Sequence, residues 1–188
     1  MGYFDTEEGV TEYIHLAEGY DGKELIHMFR PHLHPGAKIL ELGMGPGKDM
    51  EILQRDYQVT GSDSSEIFVN RYLKLHPNAD LLTLDAISID TRRRFDAIYS
   101  NKVLQHLTKK ELATSIDSQH RVLNNGGIAL HSIWLGDTCE EFGGLISQQH
   151  TLESFTKLLG GRFTVTESRI YTEMEELDSI CIILKRVD

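Results

Sequence analysis

No apolar run in this sequence approaches the roughly 20 residues needed to span a bilayer. Its acidic start, Tyr3-Phe4-Asp5-Thr6-Glu7-Glu8, lacks the basic-then-apolar order of a secretory leader. Cysteine is nearly missing. Cys139 and Cys181 are the only two, they lie far apart without metal-ligand spacing, and Cys181 falls within an apolar strand pattern. This argues against a disulfide framework and against a metal centre, and the expectation is a cytoplasmic protein. Basic residues are in deficit: 19 Lys and Arg stand against 29 Asp and Glu, for a net charge of −10. Proteins that grip nucleic acid need the opposite balance. The densest basic run, Arg92-Arg93-Arg94, sits in a short connection without aromatic neighbours. A small molecule is therefore the expected partner, with nucleic acid and membrane disfavoured; the sequence carries no mark of an oligomeric state. Repeats, linkers and low-complexity tracts are absent too, so residues 1–188 read as one domain, long enough to bury a core.

What the chain does have is the stretch Ile39-Leu40-Glu41-Leu42-Gly43-Met44-Gly45-Pro46-Gly47. An apolar run opens into a loop with glycine at alternate positions, a helix-compatible segment follows, and Asp63 stands after a second apolar run. That is the layout of a nucleotide-binding βαβ unit: glycines permit a tight turn and close backbone approach, and the later carboxylate can accept from ribose hydroxyls. The dinucleotide fingerprint would need its third glycine where Lys48 stands, and a P-loop would need glycine and Ser or Thr where Leu42 and Asp49 stand. Glu41, two residues before the first glycine, would repel a pyrophosphate but suits a cofactor carrying an ammonium group.

The pattern resembles the class I S-adenosylmethionine-dependent methyltransferases, whose first motif reads (Asp/Glu)-x-Gly-x-Gly-x-Gly. Asp63 matches that family's acid at the end of strand two, and Asp85-Ala86 its acid after strand three. Phe95 to Asn101 with Val103 to Leu107 matches its fourth motif, and Leu123-Asn124-Asn125-Gly126-Gly127 the turn before strand five. The likeness covers roughly residues 37–135. It implies S-adenosylmethionine as cofactor, with Glu41 acting near its ammonium and Gly43 and Gly45 making room for its methionyl part. It further implies Asp63 at the ribose, Ser64 near the sugar or adenine, Asp85 and Ala86 at the adenine, Met44 and Ile87 flanking the base, and Ser100 and Asn101 at the end of strand four. Local roles compete with these. Asp63 can serve as a turn residue, Asp85 can cap a helix, and Ser100 and Asn101 can start one. Glu41 has no comfortable structural role, since an unpaired carboxylate in an apolar strand is costly.

Periodicity predicts a helical N-terminal cap over 1–33, capped at Asp5 or Thr6, interrupted at Gly19 and Asp21-Gly22, and ended by Pro31. It then predicts strand 37–42, helix 47–55, strand 57–62, helix 65–75 and strand 80–84. Strand 95–100, helix 109–123 and strand 127–134 follow. Residues 135–149, with Gly136, Gly143 and Gly144, show no period and read as a lid loop. A helix over 151–159 and strands 162–171 and 177–186 complete the chain, the last two antiparallel because their connection is short. The fold class is therefore α/β: a doubly wound, mostly parallel seven-stranded sheet with a C-terminal antiparallel hairpin and helices on both faces. Methyl transfer needs a general base only if the acceptor must lose a proton. His106, His131 and His150 are the candidates, His131 equally a packed histidine, with Tyr20 and Tyr171 as possible substrate or cofactor contacts and Trp134 as wall. Two other readings are a non-catalytic S-adenosylmethionine-binding regulatory module and a nicotinamide-dependent oxidoreductase, the latter opposed by Lys48 and Glu41.

Overall fold

The computed structural model describes residues 2–142 and 144–188; Met1 and Gly143, a residue of the expected lid, lie outside them. Two short helices come first, α1 (Glu7–Leu16) and α2 (Lys23–Phe29). The alternating part runs β1 (Lys38–Leu42), α3 (Lys48–Leu53), β2 (Gln58–Asp63), α4 (Glu66–Leu75), β3 (Leu81–Thr83), β4 (Phe95–Asn101), α5 (Lys109–Val122) and β5 (Leu123–Trp134). It is followed by β6 (Cys139–Phe142), β7 (Leu145–Gln148), α6 (Leu152–Leu158), β8 (Phe163–Tyr171) and β9 (Ser179–Arg186).

Side-chain caps set several helix starts. Thr6 accepts from the Gly9 amide at 3.1 Å, Thr108 and Glu111 form a reciprocal box at the start of α5, and Thr151 accepts from the Ser154 amide. Helix α2 stops at Phe29, and Pro31 lies within a 3-10 turn, Arg30–His32.

The seven-stranded sheet has the order β3-β2-β1-β4-β5-β9-β8, with β9 antiparallel to both β5 and β8 and every other pairing parallel. The C-terminal hairpin is thus inserted so that its second strand joins the sheet first. Strand alternation splits the core into two layers. Leu40, Leu42, Ile98 and Ala129 face α5 and α6 through Leu112, Ile116 and Phe155, whereas Ile39, Ala97, Tyr99 and Leu130 face α2 and α3 through Ile26, Phe29 and Leu53. The chain winds outward from β1 to β3, then returns to place β4 on the other side of β1. The loops after β1 and β4 consequently leave in opposite directions and open a crevice between them.

Two expectations need correction. Strand β5 begins at Leu123, not 127: Leu123 pairs with Phe95, the register then jumps to Ala97↔Ile128, and the Asn124–Gly127 turn residues are absorbed as a bulge. Residues 135–149 are not an irregular loop. They hold a separate antiparallel hairpin, with β6 and β7 paired from Cys139↔Gln148 to Phe142↔Leu145. Strands of four residues are too short to print a period on the sequence.

Candidate functional site

The glycine loop turns sharply out of β1, with Gly43, Gly45 and Gly47 at φ of 65°, 50° and 83°. Gly43 and Gly47 are required by space as well as by φ. A Cβ on Gly43 would lie 2.5 Å from the Val103 side chain, and one on Gly47 would lie 2.2 Å from the Tyr72 ring. The resulting conformation aims the Gly45 amide at Asp63 Oδ2, 2.9 Å away, while Asp63 Oδ1 accepts from the Ser65 amide at 2.9 Å. Asp63 therefore ties the end of β2 to the loop after β1. Burial raises its pKa, and the amides of Ser65, Gly45 and Ser64 draw it partly back.

Glu41 points from β1 toward the α2–α3 face, is 3% exposed, and its Oε2 has no hydrogen-bond partner. Burial, then the negative charges of Asp49 and Asp63, hold its pKa well above the ordinary carboxylate range. Asp49 is a residue that the sequence reading missed as a site residue. It accepts from the Gly22 amide (2.6 Å), the Tyr99 hydroxyl (2.7 Å) and Asn101 Nδ2 (3.1 Å), and so links α2, α3 and β4 beneath the crevice. An Asp in the first turn of a helix reads as an ordinary partner of the helix dipole, so nothing local marks it as anything else.

Two adjoining compartments occupy the crevice. The first, about 290 Å³, is lined by Glu41, Gly43, Met44, Gly45, Lys48 and Asp49 among others. The second, about 350 Å³, includes Asp63, Ser64, Asp85, Ala86 and Ile87. They share Tyr13, Gly43, Gly45, Asn101, Lys102 and His106. Met44 and Ile87, expected to flank one base, lie in different compartments, and Met44 packs with Met50 and Tyr72. Asp85 lines the second compartment while its Oδ1 accepts from the Ile87 amide at 2.7 Å, so it caps a turn as well. Ser100 does not reach either compartment. Its side chain alternates to the α5–α6 face of β4, where its hydroxyl meets His131 Nδ1 at 2.8 Å, both residues fully buried.

The histidines divide accordingly. Burial alone drives the His131 pKa down to about 3, so that ring is a neutral core group. His150 is also fully buried, packed edge-on to Phe155, and lines neither compartment. Only His106 of the three lines both compartments. Its Nδ1 lies 2.7 Å from the Ile146 carbonyl, which fixes the proton there and leaves Nε2 as the acceptor. Burial lowers its pKa, and the bond to Ile146 partly offsets this. The β6–β7 hairpin thus sets the tautomer of a cavity residue.

Lys102 was likewise not foreseen. It holds φ 56°, and its ammonium donates to Ser179 Oγ (2.6 Å), pairs with Glu173 (3.1 Å) and lies 3.4 Å from the centre of the Trp134 ring. Burial lowers its pKa to about 8 against the pull of Glu173. The N-terminal segment covers the other side. Phe4 and Tyr13 pack edge-on at 5.2 Å and both approach Phe68, while Ser65 Oγ donates to the Phe4 carbonyl at 2.7 Å. Tyr20 lines the first compartment; the Tyr171 hydroxyl is held by Ser132 (2.6 Å) and Glu173 (2.9 Å).

Residues 39–127 match the family model for a methyltransferase domain. No curated protein sequence shows significant similarity to the chain. Among solved structures, an S-adenosylmethionine-dependent methyltransferase from Clostridium acetobutylicum superposes with a TM-score of 0.76 at 14% identity, covering 94% of this chain and 98% of that one. Magnesium protoporphyrin IX methyltransferase from Synechocystis, with S-adenosylmethionine bound, gives 0.74 at 16% identity over 98% and 94%. The 1,6-didemethyltoxoflavin N1-methyltransferase of Burkholderia thailandensis, solved with that substrate and S-adenosylhomocysteine, gives 0.73 at 18% identity over 96% and 89%. At these identities the likeness establishes a shared fold.

Proposed function

We propose that the protein, whose residues 39–127 match the family model for a methyltransferase domain, transfers the methyl group of S-adenosylmethionine to a small-molecule acceptor. The single observation that carries the cofactor is Glu41: a buried carboxylate with an unpartnered oxygen is costly unless a cation completes it. It stands in the compartment made by the glycine loop, where a methionyl ammonium would meet it. Lys48, whose Nζ already donates to the Ala17 carbonyl at 3.0 Å, is the cation beside it for the methionyl carboxylate. Gly43 and Gly45 supply close backbone approach, Asp63 and Ser64 the ribose contacts, Asp85 and Ala86 the adenine edge, and Ile87 with Val103 and Leu107 its apolar faces. Asn101 stands where the compartments join.

The bound cofactor supplies an electrophilic methyl on a sulfonium. The chain's own residues contribute by orienting the reactants and excluding water. Phe4, Tyr13 and Leu145 of the hairpin are among the residues lining the second compartment, which supports residues up to Tyr20 together with 135–149 as its cover in a single domain. His106 Nε2 is the base for an acceptor that must lose a proton. The two compartments suit a modest acceptor, and the acidic chain suits one other than nucleic acid. A cytoplasmic location fits two cysteines that are both free.

Calorimetric titration with S-adenosylmethionine and S-adenosylhomocysteine tests this reading: both bind. Absence of heat with either, together with binding of a nicotinamide dinucleotide, would falsify it.

A further inference from the structure

The first compartment has two walls of unlike chemistry. One, with Glu41, Gly43, Gly45, Lys48 and Asp49, is charged or bare backbone and serves the cofactor in the proposed function. The other carries Tyr13, Leu16, Tyr20, Trp134 and Met174. Seven large apolar side chains stand exposed among the described residues. Leu16, Tyr20 and Met174 are three of them, and Leu177, a fourth, shares the β8–β9 turn with Met174. Exposed apolar residues are ordinary when scattered, but gathered at a cavity mouth they mark a site for an apolar ligand.

Charge narrows the ligand further. The compartment sets Asp21, Glu41, Asp49 and Glu173 against Lys48 and Lys102. Lys48 donates to the Ala17 carbonyl, and Lys102 is engaged by Ser179, Glu173 and the Trp134 ring. A carboxylate or phosphate ester would meet more repulsion than pairing there. What the cavity does offer is a neutral nitrogen. The Nδ1 proton of His106 is committed to the Ile146 carbonyl, so Nε2 carries the lone pair. The Nε2 atoms of His131 and His150 are shut in the core without a partner, and that of His106 is not among such atoms. With the methionyl part in the first compartment and the nucleoside in the second, the sulfonium falls where they join, and His106 lines both.

We infer that the acceptor is an uncharged phenol on an apolar body, its O–H donating to His106 Nε2 and its body lying along Leu16, Tyr20 and Met174. This rests on the methyltransferase reading and names its substrate class. A phenol, with a pKa of about 10, keeps its proton at neutral pH, and both cations of the compartment are engaged elsewhere. Its oxygen lone pair forms the new O–C bond, and the C–S bond breaks with its electron pair staying on sulfur. The O–H proton passes to Nε2, leaving an aryl methyl ether, S-adenosylhomocysteine and an imidazolium that returns its proton to water. The proton moves as the O–C bond forms, when the oxygen becomes far more acidic than an imidazolium, so a ring that burial keeps neutral is basic enough. An alkylamine gives this ring nothing to accept, because its ammonium product holds the proton more firmly than imidazole does.

The test follows methyl transfer from S-adenosylmethionine by mass spectrometry to 4-ethylphenol, 4-butylphenol and 4-hexylphenol, with 4-butylbenzylamine and 4-butylbenzoate as controls. 4-Butylphenol should show a kcat/KM about tenfold or more above either control. Each added methylene should raise it about twofold, as for a methylene half buried. Leu16→Ser and Met174→Ser, both at exposed positions, should flatten that rise. His106→Gln, or His106→Asn if the first does not fold, should slow transfer to 4-butylphenol about a hundredfold. The same variant should slow transfer to a nitrophenol, ionised at mildly alkaline pH and in no need of a base, less than about tenfold. Equal losses on the two phenols would make His106 structural and overturn the inference. So would the absence of ether from every phenol, preference for the amine or the benzoate, or rates blind to chain length. A missing S-adenosylhomocysteine heat in the first titration marks failure of the methyltransferase reading instead, and the inference falls with it.

Discussion

Replacing Glu41 with glutamine should make the protein more stable and worse at binding its cofactor. The carboxyl is fully buried, unpartnered at Oε2 and flanked by the charges of Asp49 and Asp63. Its pKa is raised in the folded state above its unfolded value near 4.5. Below that value the carboxyl is protonated in both states and costs nothing; as pH rises through the raised folded value, the unfolded chain ionises first and stability is lost. An amide of nearly the same shape escapes this loss. At neutral pH, Glu41→Gln should therefore stabilise the ligand-free protein by about 1–2 kcal/mol, the scale of one orphaned buried polar group. For a chain of this length that is about 2–8 °C in Tm. Melts across a pH series should show the gap closing as pH falls toward 4.5. With cofactor the sign reverses, because an ammonium facing an amide forfeits about 1.5–3 kcal/mol, a loss of roughly 10- to 150-fold in affinity by calorimetry. In the wild type, binding should release a proton, read as a dependence of the binding heat on buffer ionisation enthalpy. A variant that melts lower than wild type at neutral pH and binds the cofactor equally well would show that Glu41 is a structural residue and that the methionyl site is misplaced.

Asp63→Ala should weaken cofactor binding by about 1.5–3 kcal/mol and, because its two oxygens also hold the Gly45 and Ser65 amides, lower Tm modestly; unchanged affinity beside a collapsed Tm would make the residue a brace alone. His106→Ala should slow methyl transfer about a hundredfold or more. The acidic limb of the wild-type kcat profile should lie below the ordinary histidine value of 6.5, following the depressed pKa; a limb at or above that value would remove His106 from the proton path. Hydrogen exchange should slow on cofactor binding in residues 2–20 and 139–148, and deleting the first 20 residues should cost more transfer than stability. Identical exchange in both states with full activity in the truncated chain would leave neither segment a role in closure.

How far the sequence could be read depended on the range of the interaction involved. Strand β1 and the loop after it were legible because their signals are local. An apolar run of branched residues followed by glycines can satisfy its backbone in few ways, and Glu41 stood out as a charge where burial forbids one. Asp63 and Asp85 could be placed at strand ends for the same reason. Ser100 and His131 could not, since which side of β4 and β5 a polar residue takes follows from alternation across a register that sequence does not number. Met44 is a similar case: its packing on Met50 and Tyr72 needed α3 and α4 in place.

By itself the sequence determined the order of strands and helices, the loop conformation that only glycine tolerates, and the acid set in an apolar strand, because each follows from groups close along the chain. Tertiary structure alone decided which distant groups meet. It brought Asp49 under Asn101, the Ile146 carbonyl onto His106, and Glu173 and Trp134 around Lys102. It likewise left Asn101 Oδ1 and Gln105 Oε1 buried without a hydrogen-bond donor. Those contacts join residues separated by tens of positions, and their energies depend on burial and orientation, which exist only once the sheet has closed its register and the helices have docked on it.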